Sequence, residues 1–241
     1  MRSIYIIYLL IIIIFLGYTS GYAQTSEIKV ILKGNAGLHM TDGFLNIYVD
    51  FPYKSGAHNY MEYNKSELES IKENSIFIFT HKHSDHYSKK LVKIVLKTKN
   101  GKKYGSWNIS ELENLDEIIP DFKVQAFKTK HNFSLNHYSY LITWHNKKIF
   151  LSGDTESAET IGEMTNLDWA FIPAWLVLDS NEKNIKIDTK MIGIYHIGPR
   201  DNINITGEKV LMLKKQEEVI SIPKTKNTVA NKGYNSLFTP S

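Results

Sequence analysis

The segment Thr80-His81-Lys82-His83-Ser84-Asp85-His86 places three histidines and an aspartate within six consecutive positions. Imidazole nitrogen and carboxylate oxygen are a usual ligand set for zinc, manganese or iron. The segment ends an apolar run, Ile76-Phe77-Ile78-Phe79, that reads as a buried strand. In an extended chain alternate residues share a face, so His81 and His83 project toward one point. Asp85 and His86 lie where the chain turns into a lysine-rich helix, and they can face a second point close by. One short loop can therefore serve two metal ions. The competing reading is a polar surface loop whose histidines are accidental.

Further ligand-type residues recur where predicted strands end. His131 follows the strand Lys123–Phe127, Asp154 follows Ile149–Leu151, and His196 follows Met191–Tyr195. Any one of these alone reads as a hydrogen-bonded strand end; beside the opening cluster they read as ligands gathered by a layered fold. His137, six residues beyond His131, is an alternative to it. Asp50 ends the strand leading into Phe51-Pro52. It reads either as a turn-forming aspartate or as the group that fixes the second ring nitrogen of a ligand imidazole. His39, His58 and His145 have no such context and are expected in packing or surface roles. Trp107, Trp175 and Tyr87 are candidates for pocket walls, against the commoner role of core aromatics.

The elements that must position these residues are read from periodicity. Strands are expected at Ile28–Leu32, at Phe44–Val49 across a Thr41-Asp42-Gly43 turn, at Ile76–Phe79, Tyr138–Trp144 and Trp169–Ile172. Helical spacing appears at Ser66–Lys72, at Ser88–Leu96 with Leu91, Ile94 and Val95 on one stripe, and at Ala158–Met164. Strands and helices mixed in two similar halves predict two sheets packed face to face with helices outside. Loops around residues 52–64, 100–110 and 174–188 are expected to set the substrate.

A chain of 241 residues is long enough for one well-buried domain. Its net charge of +4 comes from dispersed lysines, and Arg2 and Arg200 are the only arginines. A concentrated basic patch with arginine, as nucleic-acid binding favours, is lacking, so no nucleic-acid partner is expected. The absence of cysteine removes thiolate ligands and disulfides alike. Met1-Arg2, the apolar run from Ile4 to Leu16 and the small residues of Gly21-Tyr22-Ala23 form a secretory signal pattern. Residues 1–23 are therefore expected to direct export to the periplasm or outside, with an uncleaved membrane anchor as the alternative. Residues 24–241 are expected to form one domain, with the last ten loosely ordered and no stable membrane partner.

These motifs resemble those of the metallo-β-lactamase-fold hydrolase superfamily. Residues 80–86 match its T-H-x-H-x-D-H motif at every specified position, Gly153-Asp154-Thr155 matches its G-D-T motif, and His196 falls where the final histidine is expected. The resemblance implies an α+β fold, a four-layer αββα sandwich. It implies one metal on His81, His83 and His131, another on Asp85, His86 and His196, and Asp154 bridging both. It places Asp50 behind the ligand loops. True β-lactamases of this fold carry Cys or Ser where Asp154 stands, so antibiotic hydrolysis is not expected. The run Gly153-Asp154-Thr155-Glu156 and the segment from Asp168 to Pro173 lie near the branch of ascorbate-phosphate lactonases and N-acyl-phosphatidylethanolamine phospholipases.

Two cations sharing a carboxylate lower the pKa of a water held between them to about 7. The expected function is accordingly a binuclear metal-dependent hydrolase in which a metal-bridging hydroxide attacks an ester, lactone or phosphodiester of a small molecule. Asp85 and Asp154 are the candidate catalytic carboxylates, with Asp85, metal-bound water, Tyr87 or Tyr195 as alternative sources of the leaving-group proton. Zinc is the default ion, with manganese or iron as alternatives. Two other readings are an iron-dependent oxidoreductase on the same fold and an exported metal-binding protein without catalysis. A ligand set sufficient for two metals argues against a mononuclear iron site.

Overall fold

The computed structural model describes residues 26–198 and 200–224. The export segment expected over residues 1–23 and the tail expected over the last ten residues lie outside them. One sheet contains β1 (Glu27–Gly34), β2 (Gly37–Thr41), β3 (Asn46–Val49), β4 (Ile76–Ile78), β5 (Lys102–Tyr104) and β12 (Val219–Pro223), in the order β12-β1-β2-β3-β4-β5. The other contains β6 (Phe122–His131), β7 (Ser134–Trp144), β8 (Lys147–Leu151), β9 (Leu167–Pro173), β10 (Thr189–Tyr195) and β11 (Val210–Met212), in the order β11-β10-β9-β8-β7-β6. Among the described residues five α-helices accompany them: α1 (Lys65–Glu69), α2 (Lys89–Lys99), α3 (Ile109–Glu113), α4 (Glu159–Gly162) and α5 (Ala174–Glu182).

Side-chain alternation sorts the strands into layers. Ile47, Val49, Ile76 and Ile78 face Ile142, Trp144, Ile149, Leu151 and Phe171 in the core between the sheets. Tyr48, Phe77 and Phe79 turn outward and are covered by Ile71 and by Val92 and Val95 of α2. On the far side Leu141, Phe150, Ala170 and Ile172 pack against Ile161 of α4 and Leu176 of α5. β4 and β9 are buried on both faces, which is why β4 and the Trp169–Pro173 part of β9 read as apolar runs without alternation. The result is the expected α+β sandwich, with helices outside two facing sheets.

Several local expectations are corrected. β2 is an additional strand not expected from the sequence, since its alternation of Leu38 and Met40 with His39 and Thr41 spans only four residues next to the glycines Gly34 and Gly37; the hairpin at Asp42 joins β2 to β3 rather than β1 to β3. In α2 the buried stripe runs through Val92 and Val95, while Ile94 is 49% exposed. Residues 174–182, expected as loop, form α5 directly after Pro173. β6 and β7 extend well past their apolar cores. Lys128 to His131 pairs only with Ser134 to Tyr138, as a hairpin continuing beyond β8.

At the end of the sandwich away from the histidine cluster, Asp42 caps Phe44 and Leu45 and accepts a 2.8 Å bond from His145 of the β7–β8 turn. His39 also has a structural role. It lies 4.3 Å from Tyr48 in a parallel stack and bonds Asn46 Oδ1 through Nε2 at 3.0 Å. Burial lowers its pKa to about 4, against the opposing effect of the Asn46 bond. An unfolded histidine titrates near 6.5, so between about pH 6.5 and 4 the unfolded chain binds more protons, and stability falls as pH falls. His39→Phe keeps the stack and removes the titration. The melting temperature of the wild-type protein should drop more steeply than that of the variant across this window; parallel profiles would contradict the assignment.

Candidate metal centre

His81, His83 and His131 converge with one ligand atom each, and Asp85, His86, Asp154 and His196 form a second group. In the first, His83 Nδ1 lies 3.1 Å from His131 Nε2, and the His81 ring centre is 4.5 and 4.8 Å from those of His83 and His131. In the second, Asp154 Oδ2 is 2.9 Å from His86 Nε2 and 3.2 Å from His196 Nε2, and Asp85 Oδ2 is 3.3 Å from His196 Nε2. The same Asp154 oxygen is 3.9 Å from His81 Nε2, so this carboxylate stands between the groups. The ligands come from the ends of strands in both sheets: β4 from one, β6, β8 and β10 from the other.

Asp50 orients the loop after β4. Its carboxylate accepts bonds from the Thr80 amide (2.8 Å), the Thr80 hydroxyl (2.7 Å) and His86 Nδ1 (2.8 Å). With its proton given to Asp50, the Thr80 hydroxyl can only accept from His81 Nδ1, 3.0 Å away. Both rings therefore carry a proton on Nδ1 and turn Nε2 toward the site; His81 presents it bare, while His86 Nε2 lies 2.9 Å from Asp154 Oδ2 and would give up the proton shared there on binding a metal. Asp50 (φ +46°) and His196 (φ +56°) both lie in the left-handed region, which is costly for non-glycine residues and is concentrated at functional sites.

The loop after β8 is equally determined. Gly153 has φ +58°, and a Cβ there would come within 2.6 Å of His137 Nε2 and 2.8 Å of Thr80 Cβ, so only glycine fits. Thr155 Oγ1 donates to the Lys130 carbonyl and ties this loop to β6. Glu156 Oε1 lies 3.5 Å from His131 Nδ1, which leaves His131 Nε2 for the site. His137 is not a ligand here. Its Nε2 accepts the Asp154 amide at 2.9 Å, so its proton is on Nδ1 and goes to Thr129 Oγ1 at 2.7 Å. Thr129 can pass its own proton to Ser139 Oγ, which donates to the Ser152 carbonyl. The chain of bonds thus leaves the Asp154 loop and returns to it.

Two contributors have no sequence signal. Asn35, in the β1–β2 turn, donates from Nδ2 to the Asp85 carbonyl, and its own carbonyl accepts the His196 amide. Tyr60 stands edge-on to His196, with ring centres 4.3 Å apart. An asparagine in a turn and a tyrosine in an irregular loop are too common to mark a site, and only the folded structure separates them from others.

The charges of the site suit a cation. Burial, reinforced by the charge of His86, holds His81 far below the ordinary imidazole range, so it presents a lone pair. Burial opposes the charged form of His86, but Asp154 and Asp50 outweigh it and hold the group well above its ordinary value. Burial likewise opposes ionisation of Asp154, and His86 and His196 overcome it and hold the carboxyl well below the ordinary range. Among the described residues, His81 Nε2 and Asp154 Oδ1 are buried without a hydrogen-bond partner. A buried lone pair left unmatched is costly; divalent cations coordinated by these groups would satisfy both atoms.

His83, His131, Asp85, Asp154 and His196 of the two groups line an open cavity of about 670 Å³ whose rim includes His58, Tyr60, Phe133, Glu156 and Trp175. Of the three aromatic residues expected as walls, Trp175 lines it. Tyr87 and Trp107 instead pack with Phe79 on the outer face of the first sheet. The 52–64 and 174–188 segments reach the cavity, through His58, Tyr60 and Trp175; residues 100–110 do not line it.

No protein-family model matches the chain, and no curated protein does. In structure it is similar to Igni18, a metallo hydrolase from the hyperthermophilic archaeon Ignicoccus hospitalis, at a TM-score of 0.61 and 16% identity, over 83% of this chain and 100% of that one. It is also similar to the metallo-β-lactamase fold protein YhfI from Bacillus subtilis, at a TM-score of 0.55 and 12% identity, over 81% of this chain and 99% of that one. At these identities the likeness is one of fold: the chain has the metallo-β-lactamase fold.

The hydrogen-bond chain through His137 makes a prediction. His137→Leu leaves the Asp154 amide without its acceptor and removes the donor to Thr129, and should weaken zinc binding by about 10- to 100-fold, the effect ordinarily seen when the groups behind metal ligands are removed. His137→Gln supplies an acceptor for the amide and should recover much of that loss. Competition with a chelator of known affinity measures both. Unchanged affinity in His137→Leu would show that this contact does not position Asp154.

Proposed function

We propose that the protein is a binuclear metal-dependent hydrolase acting on an ester, lactone or phosphodiester bond of a small molecule. The carrying observation is a pair of ligand groups meeting at Asp154 on the floor of an open cavity. His81, His83 and His131 would hold one ion and Asp85, His86 and His196 the other, with Asp154 shared; zinc fits this nitrogen and oxygen set, as do manganese and iron. Two such ions would supply an activated water and neutralise charge developing on the attacked carbonyl or phosphoryl oxygen.

The chain's own groups favour water as the nucleophile. It has no cysteine, and no serine or threonine is among the described residues lining the cavity. The leaving group needs a proton. His196 and His86 hold Asp85 below its ordinary value despite its burial, so Asp85 is an anion at neutral pH and a poor donor. The Tyr195 hydroxyl is buried, accepting the Gly153 amide, and Tyr87 lies outside the cavity. The Tyr60 phenol is the one tyrosine in the described lining. Burial first, then Asp154 and Asp85, push it up to about 12, so it keeps its proton and can donate. We assign the protein to an exported location on the strength of residues 1–23.

Metal-loaded protein should turn over at least one member of a panel of lactones, carboxylic esters and phosphodiesters, with two equivalents of metal by elemental analysis. Asp154→Ala should lower kcat/KM by at least about a hundredfold while retaining the far-ultraviolet circular dichroism of the fold. Undiminished turnover in that variant would remove Asp154 from the mechanism, and a single redox-active iron without hydrolysis would sink the hydrolase reading.

A further inference from the structure

The β6–β7 hairpin carries two large apolar side chains into solvent beside the metal ligands. Phe133 is 100% exposed and Leu135 is 90% exposed. A single exposed apolar residue needs no explanation, but the backbone at Phe133 does. His131 pairs with Ser134, so Asn132 and Phe133 alone make the turn. Phe133 has φ +62°, a conformation that such turns ordinarily give to glycine or asparagine. Folding alone would favour glycine at this position, which costs nothing in the left-handed region and exposes no ring. A phenylalanine there is strained and unburied, which points to a role outside folding.

Its position says what that role is. The Phe133 carbonyl faces His83 Nε2 at 3.4 Å, and His131, two residues earlier, is itself in the ligand group. The tip is thereby fixed relative to the first group of histidines, and Phe133 lines the same cavity as the ligands. That cavity has a floor of imidazole and carboxylate, while Tyr60 and Trp175 stand against His196 on the side of the second group. Its chemistry suits a molecule with a polar reacting centre and an apolar extension. We propose that Phe133 forms an apolar subsite at the mouth of the cavity that takes a hydrocarbon chain or ring attached to the scissile group of the substrate. This rests on the hydrolase reading and narrows its substrate class to amphiphilic molecules. Covering the tip with such a group removes apolar surface from water in the bound state alone, so the gain appears as affinity rather than stability.

Alkylphosphonates are suitable probes, since an oxyanion head suits a dication site and the chain can be lengthened at will. Calorimetric titration of zinc-loaded protein should show affinity rising on the order of a hundredfold from methyl- to octylphosphonate. Phe133→Gly should cut that ratio about tenfold or more, with a melting temperature equal to or above that of the wild-type protein, because glycine suits the turn. Phe133→Leu should keep most of the ratio. A flat series in the wild-type protein, or an unchanged ratio in Phe133→Gly, would overturn the subsite while leaving the metal centre in place. Failure of every phosphonate to bind would count against the hydrolase reading, and the subsite would fall with it. Lys128 and Lys130 are exposed on the same hairpin, so vesicles containing anionic lipid form a control arm. Loss of vesicle binding in Phe133→Gly without a change in the octyl-to-methyl ratio would make the tip a surface anchor and overturn the proposal.

Discussion

Asp50 is the constraint on which the site depends. Its carboxylate, buried where β3 ends, receives the Thr80 amide, the Thr80 hydroxyl and the His86 ring, and through that hydroxyl it also sets the His81 ring. One histidine of each ligand group thus has its tautomer and direction determined by a single side chain. Nothing else in the site could work without this, because a free imidazole offers either nitrogen and turns about two bonds. The position is also strained, with Asp50 itself in the left-handed region. Strain of that kind persists only where the surroundings over-determine it, and here the donors come from β4 and the loop beyond it.

The second constraint is the meeting of two sheets. The loop after β4 supplies four candidate ligands from one sheet, and β6, β8 and β10 supply three from the other. Bonds that cross the interface keep the two sets in register. The Tyr138 amide donates to the Thr80 carbonyl, the Tyr140 hydroxyl to the Phe79 carbonyl, and the His196 amide to the Asn35 carbonyl. The large core between the sheets gives the sandwich its rigidity, and these few polar links convert rigidity into ligand geometry. A metal site assembled from two sheets is sensitive to their relative position, which is why buried polar bonds, each satisfied at both ends, are placed at that seam.

Much of this was legible in the sequence because ligands cluster where apolar strands stop. Thr80 to His86, Gly153-Asp154-Thr155 and His196 all follow buried strands, and a layered fold brings strand ends together. Asp50 was legible by its place before Phe51-Pro52, as one of two readings. His131 is preferred to His137 through the resemblance, which places a ligand directly after a strand; the fold agrees by grouping His131 with His81 and His83 and pairing the His137 ring with the Asp154 amide. Asn35 and Tyr60 carried no signal because turn asparagines and loop tyrosines are ordinary. β2 is not legible because its alternation, Leu38-His39-Met40-Thr41, is too short beside Gly34 and Gly37 to stand out from a turn. The length of the β6–β7 hairpin was missed for the opposite reason, because its outer part is polar or exposed and pairs only with itself.

The central claim is that two cations sit in these two groups with Asp154 between them. The most direct measurement is an anomalous difference map from crystals of the zinc-loaded protein, with data collected on both sides of the zinc edge. The account predicts two peaks, one among His81 Nε2, His83 Nδ1 and His131 Nε2, the other among Asp85, His86 Nε2 and His196 Nε2, each within coordination distance of Asp154. A single peak, or peaks held by other residues with Asp154 unbound, would contradict it.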